Sequence, residues 1–103
     1  MAKLKIGMDL SEFPKKLKLR HGIEGSQEWY EWKDKWKSVV IHRVKPRPWG
    51  IYFIRGGTVR MVEEELTAED IRKGIIGRPF ESERLEDCIE ALKSLGFEVE
   101  LVR

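Results

Sequence analysis

Residues 38–64 read SVVIHRVKPRPWGIYFIRGGTVRMVEE, and this stretch predicts three consecutive β-strands. Ser38 to Lys45 is rich in β-branched residues, and the two prolines that follow end the strand because proline donates no ladder hydrogen bond. Trp49 to Arg55 forms the second strand. The pair Gly56-Gly57 suits a tight hairpin turn, after which Thr58 to Glu64 returns as the third strand. The stretch therefore predicts an antiparallel β-meander.

The segment immediately before the meander, residues 26–37, has two interpretations. Trp29, Trp32 and Trp36 recur at a spacing of three and four residues, which favours a helix capped by Ser26 with three indoles on one stripe. The aromatic and β-branched composition instead favours a hairpin, with strands at residues 28–33 and 36–45. We prefer the helix slightly, and both alternatives place the rings close together.

The two ends of the chain predict further elements. Residues 1–25 form a basic N-terminal segment that is partly extended, because apolar and basic residues alternate in Lys3–Gly7 and in Lys16–Arg20. Thr67 is positioned to cap a short helix over 68–73. A longer helix is predicted over 82–94, where Leu85, Cys88, Ile89, Leu92 and Leu95 share one stripe, and residues 97–102 alternate as a closing strand.

These elements predict one domain that spans residues 1–103. Its fold class is α+β, with an antiparallel β-meander sheet of about four strands backed by two or three helices. A chain of this length is long enough for a single hydrophobic core without a disulfide or a structural metal.

The composition indicates the setting in which the protein works. Asparagine is absent, Gln27 is the only glutamine and 37% of residues are charged, a bias typical of hyperthermophilic, here archaeal, proteins. A single cysteine, Cys88, excludes an internal disulfide and favours the cytoplasm. No run of residues is apolar enough to span a membrane, and no Cys/His cluster has the spacing of a metal site, so neither a membrane partner nor a metal is expected.

Charge is distributed unevenly along the chain. Residues 1–60 contain 14 Lys and Arg against 6 Asp and Glu, whereas residues 61–103 contain 6 against 12, although the net charge is only +2. The first part of the chain is therefore expected to form a basic surface and the second part an acidic one.

The basic part of the chain also contains most of the aromatic residues, including all four tryptophans. Rings interleaved with cations are typical of single-stranded nucleic-acid binding, because bases stack on the rings while the cations follow the phosphates. We therefore expect sequence-tolerant binding of single-stranded DNA or RNA, with DNA favoured. The expected site residues are Trp29, Trp32, Trp36, Trp49, Tyr52, Phe53, Lys33, Lys35, Lys37, Arg43, Arg47 and Arg55.

Two other functions are open to the same residues. The tryptophans can form a protein–protein interface, which would make the chain an interaction module, and we expect a homo-oligomer, either a dimer or a tetramer. His21 and His42 are the acid/base pair that a metal-independent nuclease would need, but nothing in the sequence fixes their separation. The prediction is a protein that is not an enzyme, with no catalytic residue and no cofactor.

The layout and composition of residues 26–103 resemble one known family. A Trp/Tyr-rich basic segment, a β-meander, and a Gly-Arg-Pro-Phe turn at residues 77–80 before a terminal helix and strand are similar to the ThermoDBP-related single-stranded DNA-binding proteins of hyperthermophilic archaea. The resemblance implies a cleft of aromatic and basic side chains that binds single strands without a cofactor, and self-association into dimers or tetramers. The coiled-coil tail by which some members dimerise is absent here.

Overall fold

The computed structural model describes residues 3–5, 10–56, 58–61, 63–65 and 81–102. Within these ranges the chain is mainly β-structure. The strands are β1 Lys3–Lys5, β2 Lys16–Glu24, β3 Gln27–Lys33, β4 Lys37–Val44, β5 Trp49–Arg55, β6 Thr58–Met61, β7 Glu63–Glu65, β8 Glu81–Ser82 and β9 Glu98–Val102, with a 3-10 turn at Leu10–Glu12 and one α-helix, α1, at Leu85–Ser94.

One large sheet dominates the structure. Its strands lie in the order β6-β5-β4-β3-β2-β9, and the short strand β8 pairs with β5. All neighbours are antiparallel except β2 and β9, which run parallel from the pair Lys16 and Glu98 to the pair Arg20 and Val102. The sheet curls into a half-barrel. Strands β1 and β7 form a separate antiparallel pair.

The predicted meander is present as strands β4, β5 and β6. Strand β5 has the predicted bounds, and Gly56 begins the turn to β6 with a φ of 56°, a left-handed conformation that glycine adopts without strain. The same geometry recurs between β2 and β3, where Gly25 has a φ of 60°. Tight turns of this kind keep the strands in register, with Arg55 opposite Thr58 and Glu24 opposite Gln27.

The preferred helix over residues 26–37 is wrong, and the alternative hairpin is observed. Residues Gln27–Lys33 form β3, which pairs with β2 on one side and with β4 on the other. Two rows of backbone hydrogen bonds and β-favouring aromatic residues outweigh the helical spacing of the tryptophans. In a strand, a spacing of three residues places Trp29 and Trp32 on opposite faces, so the predicted stripe does not exist.

The predicted fold class is also wrong. The sheet has six strands on its main path rather than about four, and it is mixed rather than antiparallel. Within the described ranges a single helix packs on it, not two or three. The predicted number of strands is too low because residues 27–33 form β3 rather than a helix, and this strand gives β2 its partner. The predicted helix at 68–73 and the turn at 77–80 lie outside the described residues.

The C-terminal helix and strand are confirmed, with shifted bounds. Helix α1 begins at Leu85, three residues later than predicted, and ends where Gly96 takes a φ of 101°. It buries Cys88, Ala91 and Leu92 against one face of the sheet. The other core side chains come mainly from alternate strand positions, namely Leu17, Leu19, Tyr30, Val39, Ile41, Trp49, Ile51 and Phe53, with Phe13 and Phe97 at the rim.

Candidate functional site

The large sheet has two chemically different faces. The face against α1 carries the hydrophobic core, to which β5 contributes Trp49, Ile51 and Phe53. The residues between these point the other way, to what we call the far face, the face of the sheet turned away from α1. Along β3 the far face displays Gln27, Trp29, Glu31 and Lys33. This alternation within each strand decides which of the predicted site residues are accessible together.

An aromatic groove occupies the middle of the far face. Its volume is about 580 Å³, and its walls are formed by strands β3, β4 and β5. The lining side chains are Gln27, Trp29, Glu31, Val40, His42, Tyr52 and Ile54. Apolar and aromatic groups dominate this lining, with a small number of polar groups among them, which is the usual composition of a ligand-binding groove.

The two large rings of the groove each lie over a glycine. A Cβ atom placed on Gly22 would stand 2.3 Å from Cε2 of Trp29, and one placed on Gly50 would stand 3.2 Å from the ring of Tyr52. The absence of a side chain at both positions therefore lets the rings pack directly on the backbone of the sheet. Each ring is half-buried, so part of its surface remains available to a ligand.

A basic groove adjoins the aromatic one. It has a volume of about 670 Å³ and is lined by Lys18, Arg20, Glu31, Trp32, Lys33 and Val102. Within the described part of the chain, Lys18, Arg20 and Lys33 form no ion pair, whereas their neighbour Lys16 lies 3.8 Å from Glu100. Glu31 lines both grooves, so the two are adjacent. The combined surface places free cations beside stacking aromatic rings.

His42 adds polar character to the aromatic groove. Its ring lies 6.2 Å from that of Tyr52 in an edge-on arrangement, and its Nε2 lies 3.3 Å from Oε1 of Gln27. His42 and Gln27 both line the groove, from the neighbouring strands β4 and β3. They supply hydrogen-bonding groups next to the rings, as recognition of a planar heterocycle would need.

Two predicted aromatic site residues lie in the hydrophobic core. Trp49 is 4% exposed and Phe53 is 0% exposed, so neither ring is available to a ligand in the folded protein. Trp49 is the first residue of β5, as predicted, but its side chain points to the core face. Tyr30 contacts its ring at 5.9 Å, which fixes it there.

The other predicted aromatic residues divide between the two surfaces. Trp32 is half-buried and packs at 6.1 Å against Phe13 on the core side of the sheet, and it also lines the basic groove. Trp36 is 70% exposed in the turn between β3 and β4 and lines neither groove. Trp29 and Tyr52 are thus the two predicted aromatic residues that the fold brings together on the far face.

The predicted basic residues are likewise separated. Lys33 lies in the basic groove, while Lys35 and Arg47 are exposed in the turns that precede and follow β4. Lys37 donates a hydrogen bond to the backbone oxygen of Glu12, and its Nζ lies 5.9 Å from the centre of the Phe13 ring. These contacts tie the start of β4 to residues 12–13 within the fold. Arg55 is at the end of β5, and its side chain is outside the described set.

Arg43 belongs to a charged cluster on the core face rather than to a phosphate track. Its guanidinium lies 4.5 Å from the Trp49 ring and donates to Glu28 Oε1 at 3.1 Å. His21 Nε2 donates to the other oxygen of Glu28 at 2.7 Å, and Lys45 approaches within 3.9 Å. The hydrogen bond from His21 lowers the pKa of Glu28, and Arg43 and Lys45 act in the same direction against the opposing effect of burial.

The two histidines do not form a catalytic pair. His21 stacks on Tyr30 at 4.6 Å on the core face, whereas His42 is on the far face. A sheet therefore separates the two imidazoles, and one substrate cannot contact both.

Cys88 is buried, and burial together with the nearby Asp87 carboxylate raises the pKa of its thiol to about 12. No group of three potential metal ligands occurs among the residues whose placement is described.

Sequence analysis did not assign Lys18, Arg20, Glu31 and His42 to the site. The alternation of Lys16, Lys18 and Arg20 with buried leucines in β2 was a usable signal, because it shows that three cations share one face. Placing that face beside Trp29 requires the register of β2 against β3, in which Gly22 is opposite Trp29 and Arg20 is opposite Glu31.

Comparison with known protein families, with curated proteins and with solved structures finds no match. The resemblance to the ThermoDBP-related proteins therefore stays a prediction. In the described ranges, no helix is long and apolar enough to cross a membrane. Any functional assignment has to rest on the far face itself.

Proposed function

We propose that the protein binds single-stranded nucleic acid on the far face of its large sheet, and that it does so without catalysing a reaction. Bases stack on Trp29 and Tyr52, and the phosphates lie along Lys18, Arg20 and Lys33. The observation that carries this proposal is that the aromatic groove and the basic groove lie side by side, with Glu31 lining both.

The position of each ring over a glycine supports stacking. A ring packed on the backbone has few alternative orientations, so it loses little conformational freedom when a base stacks on its outer face. Base–aromatic stacking of this kind contributes about 1 to 3 kcal/mol per base and tolerates every base. Two such rings give useful affinity with little dependence on sequence.

The three free cations supply the electrostatic part of the affinity. Lys18, Arg20 and Lys33 have no carboxylate partner in the described part of the chain, so no internal ion pair has to break when a phosphate binds. Each phosphate they contact releases counterions, which makes the affinity fall as salt rises. The curled sheet and the half-buried rings suit an unpaired strand, and DNA is the ligand we favour. The lone cysteine favours a cytoplasmic location.

The test is a titration of the protein with a fluorescently labelled single-stranded DNA oligonucleotide, followed by anisotropy. Trp29→Ala and Tyr52→Ala should each weaken binding by about 1 to 3 kcal/mol. Trp36→Ala is the matched control, because Trp36 is 70% exposed and lines neither groove, and its affinity should stay close to wild type. Folded Trp29→Ala and Tyr52→Ala variants that bind as tightly as wild type would refute the proposal.

Self-association is a separate proposal, for which the structure offers less support. Ile23 and Val44 are exposed apolar residues on opposite faces of the sheet, and Trp36 is at its other end. Single exposed apolar residues are normal on a soluble surface and do not mark an interface. The predicted dimer or tetramer stays a prediction, and light scattering at high micromolar concentration checks it.

A further inference from the structure

Glu31 is the one acidic side chain that lines both the aromatic and the basic groove. It is half-buried, and on the neighbouring strands it is opposite Arg20 and Val40. Although Arg20 is its direct cross-strand neighbour, the two side chains form no ion pair. The carboxylate is therefore available to a ligand within the described structure.

A carboxylate in this place opposes the binding of phosphates. It would weaken a purely electrostatic track formed by Lys18, Arg20 and Lys33, since like charges repel. A carboxylate oxygen does, however, accept hydrogen bonds from the amino groups at the edges of bases, as when Glu or Asp accepts from N4 of cytosine. Its chemistry therefore suits contact with a base edge rather than with the backbone of the strand.

The position of Glu31 relative to Trp29 fits such a contact. The two residues are two apart on β3 and point to the same face, which separates their Cα atoms by roughly 7 Å. A base that stacks on the indole of Trp29 extends sideways along the groove by a comparable distance. Its pairing edge is then within reach of a side chain the length of glutamate.

We propose that Glu31 makes the far face selective for bases that carry an amino group on their pairing edge. Cytosine, adenine and guanine donate a hydrogen bond to the carboxylate at the position stacked on Trp29. Thymine and uracil carry no amino group on that edge, and their one donor, N3–H, lies between two carbonyl oxygens that the carboxylate repels. This selectivity rests on the proposed function, and it would add a modest base preference to binding that is otherwise tolerant of sequence.

The experiment compares oligo-dC with oligo-dT of equal length, near neutral pH and at fixed salt. Both ligands are pyrimidines with the same backbone, and they differ in the amino or carbonyl group at position 4, in the lone pair or N–H at position 3, and in the 5-methyl group of thymine. Wild type should bind oligo-dC about 10-fold more tightly, at the lower part of the range for a direct base contact. In Glu31→Gln the ratio should approach one, because a carboxamide can both donate and accept.

Glu90→Gln is the control, because it removes the same charge from an exposed position on α1, away from the far face. It should leave the ratio at its wild-type value. Equal binding of the two oligonucleotides by wild type, or a ratio that Glu31→Gln leaves unchanged, overturns the base selectivity while the binding itself stands. Failure of wild type to bind either oligonucleotide overturns the proposed function and the selectivity together.

Discussion

Trp29 and Gly22 are directly opposite each other on strands β3 and β2, and the indole of Trp29 fills the space that a side chain on Gly22 would need. The glycine therefore sets the orientation of the ring, and through it the shape of the aromatic groove. Gly50 likewise leaves room for the ring of Tyr52, but these two residues are two apart on the same strand, β5, and the contact is looser. Substitutions at Gly22 or Gly50 should therefore alter the proposed stacking surface without changing the charge of the protein.

Gly22→Ala should displace the Trp29 ring. The added methyl group would lie 2.3 Å from Cε2 of the indole, so the ring must rotate away. We expect a loss of about 1 to 3 kcal/mol in the free energy of unfolding, measured by urea denaturation, because overpacking forces side chains from their preferred rotamers. Affinity for single-stranded DNA should fall with it, with no change in salt dependence.

A double-mutant cycle separates this effect from any general strain at Gly22. In the Trp29→Ala background, Gly22→Ala should cost much less, because the ring that it displaces is gone. The interaction energy between the two sites should be about 1 kcal/mol or more, as is usual for residues in contact. If Gly22→Ala costs the same in both backgrounds, the ring does not depend on the glycine.

Removing a cation from the basic groove should change the salt dependence of binding. For Lys18→Ala or Lys33→Ala, the slope of log affinity against log salt should become shallower by about 0.7, the value for one phosphate contact on a single strand. Arg47→Ala is the charge-matched control, since Arg47 is exposed in the turn after β4 and lines neither groove. If Arg47→Ala changes the slope as much as Lys33→Ala does, the phosphates do not follow the basic groove.

Glu28→Gln should destabilise the fold at neutral pH by about 1 to 3 kcal/mol, because Arg43 and His21 lose a charged acceptor in a mostly buried position. The pKa of Glu28 in the folded chain lies below its ordinary value of 4.5. The stabilisation that the ionised Glu28 side chain gives to the fold is therefore complete at pH values above 4.5, and it is lost as the pH falls through the lower pKa of the folded state.

Denaturation curves of wild type and Glu28→Gln should consequently converge as the pH is lowered below about 4.5. Among the described residues, the side chains that face the carboxylate are His21, Arg43 and Lys45. A stability difference that persists unchanged at low pH would show that the side chain acts by packing rather than by charge.

Cys88 should behave as a buried apolar residue. Burial raises the pKa of its thiol to about 12, so the native protein should not react with a thiol reagent until it unfolds. Cys88→Ala should cost roughly 1 kcal/mol of stability and leave binding unchanged. Rapid modification of the native thiol, or loss of binding in a folded Cys88→Ala variant, contradicts this interpretation.

Local patterns predicted part of the fold. The turn signals at Gly56 and the alternation in residues 49–55 were enough to place β5. The apolar stripe of α1 and the burial of Cys88 followed from helical periodicity in the same way. The prediction for residues 26–37 was wrong because the spacing of their tryptophans agrees with a helix, whereas their composition agrees with a strand. Pairing with strands elsewhere in the chain favours the strand.

The candidate site depended on information that no local pattern contains. The sequence by itself determined how many aromatic and basic residues are present. It also determined which of them share a side within each strand, because a strand alternates its side chains with a period of two. The tertiary structure decided which strands are neighbours, and hence that Trp49 and Arg43 serve the core face while Trp29, Tyr52, Lys18 and Arg20 meet on the far face. Register between strands distant in sequence is fixed by the packing of the whole core, and a shift of one residue would send each of these side chains to the other face.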